Sequence, residues 1–207
     1  MAPVVRLEGV EPAEAAWQKL RQDSPNRHFI LYYWIEGALP LMLYGCRGGG
    51  LLGRDLAFVC DETLSGGIAA DVLRRLGWEH MLLRHRRPGT LARDVGKLVR
   101  ATGSIGIAVD GRGPYREVGS SFARLARQSE AIAVPLGIRV RGSLSLPLPG
   151  PVAIPRKGTQ VDLALGQPVD CSLEVADLLE RLQSALDSAS SAQRPRGDAA
   201  RVVAAGD

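Results

Sequence analysis

Four short polar stretches carry the side chains in this sequence that can bind an anion or move a proton. They hold glutamates, aspartates, a histidine and several arginines, and three of the four contain glycine. Glycines beside such side chains let the backbone approach a ligand closely, which is a common design for a binding site. The four stretches are residues 34–37 (Trp-Ile-Glu-Gly), 61–67 (Asp-Glu-Thr-Leu-Ser-Gly-Gly), 84–87 (Arg-His-Arg-Arg) and 109–114 (Val-Asp-Gly-Arg-Gly-Pro).

The basic stretch holds four cationic or titratable groups in a row, Arg84, His85, Arg86 and Arg87. Such groups repel one another unless water or a bound anion separates their charges. Two interpretations stay open. One is a solvated basic face, and the other is a clamp for a phosphate or carboxylate, which the planar guanidinium can bind through two hydrogen bonds. The chain has 26 Lys and Arg against 22 Asp and Glu, and this net charge of +4 indicates no particular partner.

The last of the four stretches places Asp110 after an apolar run and before Gly111, Arg112 and Gly113. It is either a binding loop at the end of a strand or a tight turn that uses Asp, Gly and Pro for their backbone preferences. It lacks the Gly-Lys-Ser/Thr element of a phosphate-binding loop. No Gly-x-Gly-x-x-Gly follows the first predicted strand, which argues against a dinucleotide cofactor.

A regular alternation of strands and helices must position these stretches. Apolar runs rich in branched and aromatic residues predict strands, and the segments between them predict helices. Repeated strand–helix units predict an α/β fold with a central, mostly parallel sheet and helices on both faces. Ligands bind such sheets beyond the carboxyl ends of the strands, where all four stretches fall. The predicted strands are residues 29–35, 56–60, 79–83, 104–109 and 131–140, and the predicted helices are residues 12–21, 38–44, 67–76, 90–101 and 120–128.

The last third of the sequence has a different character. Three short strands, at 143–146, 152–154 and 159–165, are separated by prolines and followed by a helix over 173–189. After residue 190 the composition turns to Ser, Ala, Arg and Gly, which predicts a disordered tail. The predicted organisation is an N-terminal helical segment (residues 1–26), one domain (residues 27–189) and a disordered tail (residues 190–207).

The cysteines and the N-terminus bear on the compartment. Cys46, Cys60 and Cys171 are odd in number and widely spaced, so we expect reduced core residues rather than disulfides or a metal site. The first ten residues lack the basic segment and apolar run of a secretory signal, so we expect a cytoplasmic protein.

The apolar residues 29–46 carry a single charge, at Glu36, and are interrupted by Gly37 and Pro40. A spanning helix needs about 20 apolar residues, and a central acid opposes insertion. We therefore expect a buried strand and a short apolar helix, with peripheral contact at the inner face of a membrane.

In their order, these motifs resemble the lysophospholipid acyltransferase superfamily, and in particular a bacterial branch of unknown function. That branch has a Trp-His-Gly turn, a Ser-x-x-x-Asp-Gly loop, Leu-Gly-x-x-x-x-Arg-Gly-Ser, Pro-Asp-Gly-Pro-Arg-Gly-Pro, a Leu-Ala-Arg helix and an Ile-Val-Pro-Val strand. The resemblance covers about residues 27–187 of this chain. The matching pieces are residues 34–37, 60–67, 76–84, 109–114, 125–127 and 133–136.

The resemblance implies an acyltransferase-like fold and transfer of an acyl chain to a lipid or glycolipid hydroxyl. The donor would be a thioester of coenzyme A or of an acyl carrier protein, and no cofactor or metal is expected. The family's base is a histidine, oriented by an acid five residues later; here these positions hold Glu36 and Leu41. A glutamate can act as a general base, with His85 as the alternative. The resemblance makes Glu36 and Asp110 the expected catalytic residues, and Gly37, Arg84, His85, Arg86, Gly111, Arg112 and Gly113 the expected substrate-binding residues.

The departures from the family pattern keep two other readings open. The lost histidine, the altered loop at residues 61–66 and the reduced Arg-Gly-Ser motif at residues 84–86 favour a degenerate member that binds a lipid or an acyl carrier without turnover. The third reading is an unrelated α/β domain whose basic face binds anions. Nucleic acid is not an expected partner, because Trp78 is the only aromatic residue near the basic stretch.

Overall fold

Strands and helices alternate along the chain in the order that the sequence predicts. The computed structural model describes residues 5–8, 10–45, 56–61, 64–75, 77–78, 80–83, 88–110, 114–146 and 152–191. The strands are β1 (Val5–Glu8), β2 (Phe29–Tyr33), β3 (Leu56–Asp61), β4 (His80–Leu83), β5 (Ser104–Ala108), β6 (Ile132–Arg141), β7 (Leu144–Leu146), β8 (Val152–Ile154) and β9 (Thr159–Leu165). The helices are α1 (Val10–Asp23), the 3₁₀ turn η1 (Ile35–Gly37), α2 (Ala38–Gly45), α3 (Leu64–Arg75), α4 (Pro88–Thr102), α5 (Ser120–Ser129) and α6 (Val175–Ser191).

Seven of the described strands form one sheet, in the order β1-β9-β6-β2-β5-β3-β4. Neighbouring strands from β6 to β4 are all parallel. β9 runs antiparallel to β6, and β1 lies parallel to β9 at the edge. The predicted α/β fold with a mostly parallel sheet is therefore confirmed. β7 and β8 form a separate antiparallel ribbon.

Successive residues of a strand point to opposite faces of the sheet. Both faces carry apolar side chains, and helices cover both of them. On β2, Leu31 and Tyr33 belong to one apolar core and Ile30 and Tyr32 to the other. Helices α1, α2 and α3 contribute to the first core, and α4, α5 and α6 to the second. β2 is thus buried on both faces, which fixes where its carboxyl end lies.

The predicted helix boundaries lie within three residues of the observed ones, and two differences among the strands have a structural cause. β2 ends at Tyr33 rather than at residue 35, because the N–H of Ile35 bonds to Asp110 and begins η1. β1 was not expected; it pairs with β9 in the register Val5↔Thr159, so the segment predicted as helical also contributes an edge strand. Residues 192–207, which include most of the predicted tail, lie outside the described residues.

The apolar helix α2 lies against the sheet, with Ala38, Leu41 and Met42 in the first core. None of the helices in the described part of the chain combines the length and apolar character needed to cross a membrane. Cys60 and Cys171 are both buried, and burial raises the pKa of the Cys171 thiol to about 11. Cys46 lies outside the described residues.

Candidate functional site

The candidate site lies where the loops after β2 and β5 meet. These strands are parallel neighbours, paired from Phe29↔Ser104 to Tyr33↔Ala108, so their carboxyl ends lie at one edge of the sheet. One further hydrogen bond, from the N–H of Val109 to the carbonyl of Tyr33 at 3.1 Å, extends the pairing beyond β5. The next residues on each chain segment are η1 and the loop that begins at Asp110.

Asp110 joins these two loops. Its Oδ1 accepts a hydrogen bond from the N–H of Ile35 at 2.7 Å, and its Oδ2 accepts one from the N–H of Arg116 at 3.1 Å. The residue is only 2% exposed. Burial raises the pKa of Asp110 above its ordinary value; these backbone N–H groups oppose the rise, and the nearby charge of Glu36 adds to it. Because both of its carboxylate oxygens bind backbone N–H groups, Asp110 positions the two loops relative to each other.

Arg116 adopts a left-handed backbone conformation, with φ of 58°. A residue other than glycine is uncommon there and needs surrounding contacts to hold it. Asp110 binds its N–H, and its carbonyl accepts from Nε2 of Gln183 on α6 at 3.2 Å. Oε1 of Gln183 accepts from the N–H of Val118 at 2.8 Å. The loop is thus tied to the end of β5 on one side and to α6 on the other.

Both carboxylate oxygens of Glu36 are engaged by the β5 loop. The hydroxyl of Tyr115 donates to Oε2, and the guanidinium of Arg116 binds Oε1. The Glu36 side chain is 22% exposed and that of Arg116 is 48% exposed. Burial and the bond to Glu36 raise the pKa of Tyr115, so its hydroxyl stays protonated and donates. We refer to Glu36, Tyr115 and Arg116 as the Glu36 cluster.

The turn that presents Glu36 has little room to move. The N–H of Gly37 donates to the carbonyl of Trp34 at 3.0 Å. A Cβ at Gly37 would lie 2.7 Å from the Cβ of Ile138 on β6, so only glycine fits between η1 and the sheet. Trp34 is 4% exposed, and its indole nitrogen has no hydrogen-bond partner among the described residues.

The structure brings together some of the residues that the sequence singles out. Glu36, Gly37 and Asp110 meet at this edge of the sheet. Leu41, at the family's acid position, is 1% exposed in the first core and cannot contact a substrate. The other predicted site residues lie outside the described residues: Arg84, His85, Arg86, Gly111, Arg112 and Gly113.

The other two histidines lie at the amino ends of the parallel strands, away from the candidate site at their carboxyl ends. His28 directly precedes β2, and His80 is the first residue of β4. Nδ1 of His80 lies 3.2 Å from the carbonyl of Trp78. Neither histidine can therefore replace the missing base at the candidate site.

Three residues of the site were not expected from the sequence. Tyr115 and Arg116 come just after the polar stretch that ends at Pro114, and their aromatic and cationic types were the available signal. Gln183 gives no local signal, because it is a polar residue on an amphipathic helix far along the chain.

The arrangement offers a half-buried carboxylate, a phenol and a guanidinium, positioned by a buried second carboxylate. Such a set can bind an oxyanion, and its carboxylate can accept a proton from a hydroxyl once its present partners release it. Among the described residues there is no group of three or more His, Cys, Asp or Glu side chains that could hold a metal ion.

One solved structure with which the chain aligns is the 1-acyl-sn-glycerophosphate (LPA) acyltransferase PlsC from Thermotoga maritima. The alignment covers 89% of this chain and 72% of that protein, with 19% sequence identity and a TM-score of 0.44. No protein-family model matches the chain, and no curated protein matches it. The strand order and the register of the parallel pairs define the α/β fold.

Proposed function

We propose that this protein is an acyltransferase-like enzyme that transfers an acyl chain from an acyl thioester to a hydroxyl of a lipid or glycolipid. The carrying observation is the hydrogen bond from the turn of Glu36 to Asp110, which brings the two candidate carboxylates together. They meet at the carboxyl edge of the sheet, where α/β proteins of this type bind ligands. The order of sequence motifs along the chain supports the same reaction.

In this reaction Glu36 is the general base. Its carboxylate takes the proton of the acceptor hydroxyl while the hydroxyl oxygen attacks the carbonyl carbon of the thioester. The C–O bond of the new ester forms, the C–S bond breaks, and the thiolate leaves and takes up a proton. Asp110 positions the turn and does not touch the substrate. Arg84 and Arg112 contribute to binding of the acidic headgroup of the acceptor.

A lipid acceptor would bring the protein to the inner face of a membrane as a peripheral protein. The acyl donor is a thioester of coenzyme A or of an acyl carrier protein, and the reaction needs no further cofactor. Backbone groups at Gly111 and Gly113 allow close approach of the acceptor, and Arg86 adds positive charge beside it. Gly37 instead lets the turn of Glu36 pack against Ile138.

The engagement of Glu36 favours a second candidate function. A carboxylate with both oxygens bound to Tyr115 and Arg116 is not free to take a proton. A degenerate member of the same fold would keep this ion pair permanently and bind a lipid or an acyl carrier without turnover.

The deciding experiment is acyl transfer from labelled acyl-coenzyme A and acyl carrier protein thioesters to a panel of lysolipids. A positioned general base contributes about 10²–10⁴-fold to the rate, so Glu36→Gln should remove most of the activity. Glu174→Gln is the matched control, because Glu174 is also paired with an arginine, Arg127, but lies outside the site. A loss below tenfold in Glu36→Gln would exclude Glu36 as the base.

Three further variants separate the two candidate functions. His85→Ala tests the alternative base in the same assay. Arg84→Ala and Arg112→Ala should weaken binding of the acceptor by roughly 1.5–3 kcal/mol, the usual contribution of a hydrogen bond to a charged group. A wild-type protein that transfers nothing, yet binds acidic lipids through these arginines, would be the degenerate binder.

A further inference from the structure

The side chains of Tyr115 and Arg116 have the composition of a binding site for an oxyanion, and the carboxylate of Glu36 occupies it. A guanidinium and a phenol hydroxyl converge on one carboxylate. Arginine binds carboxylates and phosphates through the same planar set of donors. An external carboxylate or phosphate has the chemistry to bind the same two side chains as Glu36.

The backbone of Arg116 is held in place by groups other than Glu36. The N–H and the carbonyl of Arg116 are both hydrogen-bonded, to Asp110 and to Gln183, and its φ of 58° is fixed by them. The guanidinium itself is on the surface, with 48% of the side chain exposed. Removal of Glu36 would thus leave an exposed guanidinium on a fixed backbone, where an external anion can reach it.

We propose that Tyr115 and Arg116 form an oxyanion-binding site in which the Glu36 carboxylate is an internal, displaceable ligand. A phosphate or carboxylate group of the acceptor takes its place and releases Glu36. The inference deepens the proposed function, on which its catalytic meaning rests, because recognition of the headgroup then frees the base. It also explains how the ion pair and an active base can belong to one protein.

An internal competitor lowers the apparent affinity for an external ligand by the fraction of time that it occupies the site. Partly exposed ion pairs contribute about 0.2–1 kcal/mol, so Glu36→Gln should bind an oxyanion about two- to fivefold more tightly than wild type. Arg116→Gln should lose about tenfold or more, since a charge-assisted contact disappears. Tyr115→Phe should lose about two- to tenfold, as one neutral donor is removed.

The test is an NMR titration at constant ionic strength, without any acyl donor, that follows the backbone N–H of Arg116 and the side-chain carboxyl carbon of Glu36. Inorganic phosphate is the first probe. Short-chain lysophosphatidate and the matching monoacylglycerol, both below their micelle concentrations, form the second arm and show whether a lipid headgroup is preferred over free phosphate. In wild type both signals should shift with one dissociation constant.

Glu174→Gln is the matched control, because it makes the same change in net charge and also releases an arginine, Arg127, from a pair. It should bind phosphate like wild type. Equal tightening in Glu174→Gln and Glu36→Gln would overturn the proposal, since the gain would then reflect overall charge. A Glu36 carboxyl signal that stays unchanged at saturating phosphate would also overturn it.

Arg116→Gln changes a residue in a left-handed backbone conformation. Tyr115→Phe changes no such residue and is therefore measured beside it. If both variants bind phosphate like wild type, the site is not the Glu36 cluster. Acyl transfer is measured separately. Displacement of Glu36 by phosphate in a protein that transfers no acyl group would refute the proposed function and leave this site standing.

Discussion

The N–H of Ile35 donates to Oδ1 of Asp110 at 2.7 Å, across 75 residues of sequence. The first N–H groups of a helical turn have no partner within the turn, so another group must satisfy them. Asp110 does this for η1 and, through its other oxygen, for the loop at Arg116. The position of Glu36 therefore depends on a side chain at the end of a different strand.

Removal of the Asp110 carboxylate should destabilise the fold more than removal of a surface carboxylate. Asp110→Ala leaves two backbone N–H groups without their acceptor, each of which costs about 1–3 kcal/mol when buried. We expect a loss of about 2–4 kcal/mol in the free energy of unfolding, measured by urea denaturation. Asp71→Ala is the control, since Asp71 is 55% exposed and pairs with Arg74 on the surface of the same helix; it should cost under about 0.5 kcal/mol. Equal losses would contradict the assignment.

Asp110 should also give the protein a specific pH dependence. Burial raises its pKa in the folded state, so the folded protein holds this proton more tightly than the unfolded chain. The resulting stability is complete below the unfolded pKa of about 3.9 and is lost as the pH rises through the folded pKa. Asp110→Asn cannot titrate. The unfolding free energy of wild type minus that of Asp110→Asn should therefore fall as the pH rises through this window, and a flat or rising difference would refute the shift.

The local pattern of apolar and polar residues predicted most of the strands and helices. It failed where contacts between distant segments determine the structure. The predicted strand at residues 159–165 coincides with β9. A glycine precedes this strand, and its larger apolar residues, Val161, Leu163 and Leu165, are spaced two residues apart. The predicted end of β2 was too late, since Trp34 and Ile35 continue the apolar run and only the bond to Asp110 ends the strand. β1 is a four-residue edge strand, and its pairing with β9 is not visible in so short a segment.

One part of the candidate site could be predicted from the sequence, and another part could not. Glu36 and Asp110 could be placed together from the rule that parallel strands end at one edge. The left-handed conformation of Arg116 could not be predicted, because arginine has no local preference for it. It results from hydrogen bonds to Asp110 and Gln183, and these form only when the sheet and α6 are assembled.

Gly37 should tolerate no side chain. A Cβ at this position would lie 2.7–2.9 Å from Ile138 side-chain atoms, and forced overpacking costs about 1–3 kcal/mol. Gly37→Ala should therefore lower the free energy of unfolding by that amount and shift the N–H signal of Ile35. Gly67→Ala on α3 is the control, because its Cβ would meet nothing within 4 Å; it should be neutral or stabilise by up to about 1 kcal/mol. Two variants with equal stability would contradict the close approach.

Gln183 should control the order of the loop that engages Glu36. Its amide accepts from the N–H of Val118 and donates to the carbonyl of Arg116, so Gln183→Ala leaves both backbone groups without a partner from α6. One hydrogen bond contributes about 0.5–1.5 kcal/mol, which predicts about two- to tenfold faster hydrogen exchange at the N–H of Val118. Arg181→Ala, exposed on the same helix, should leave that exchange unchanged. Equal exchange in the two variants would mean that α6 does not hold the loop, and that the order of Arg116 comes from Asp110 alone.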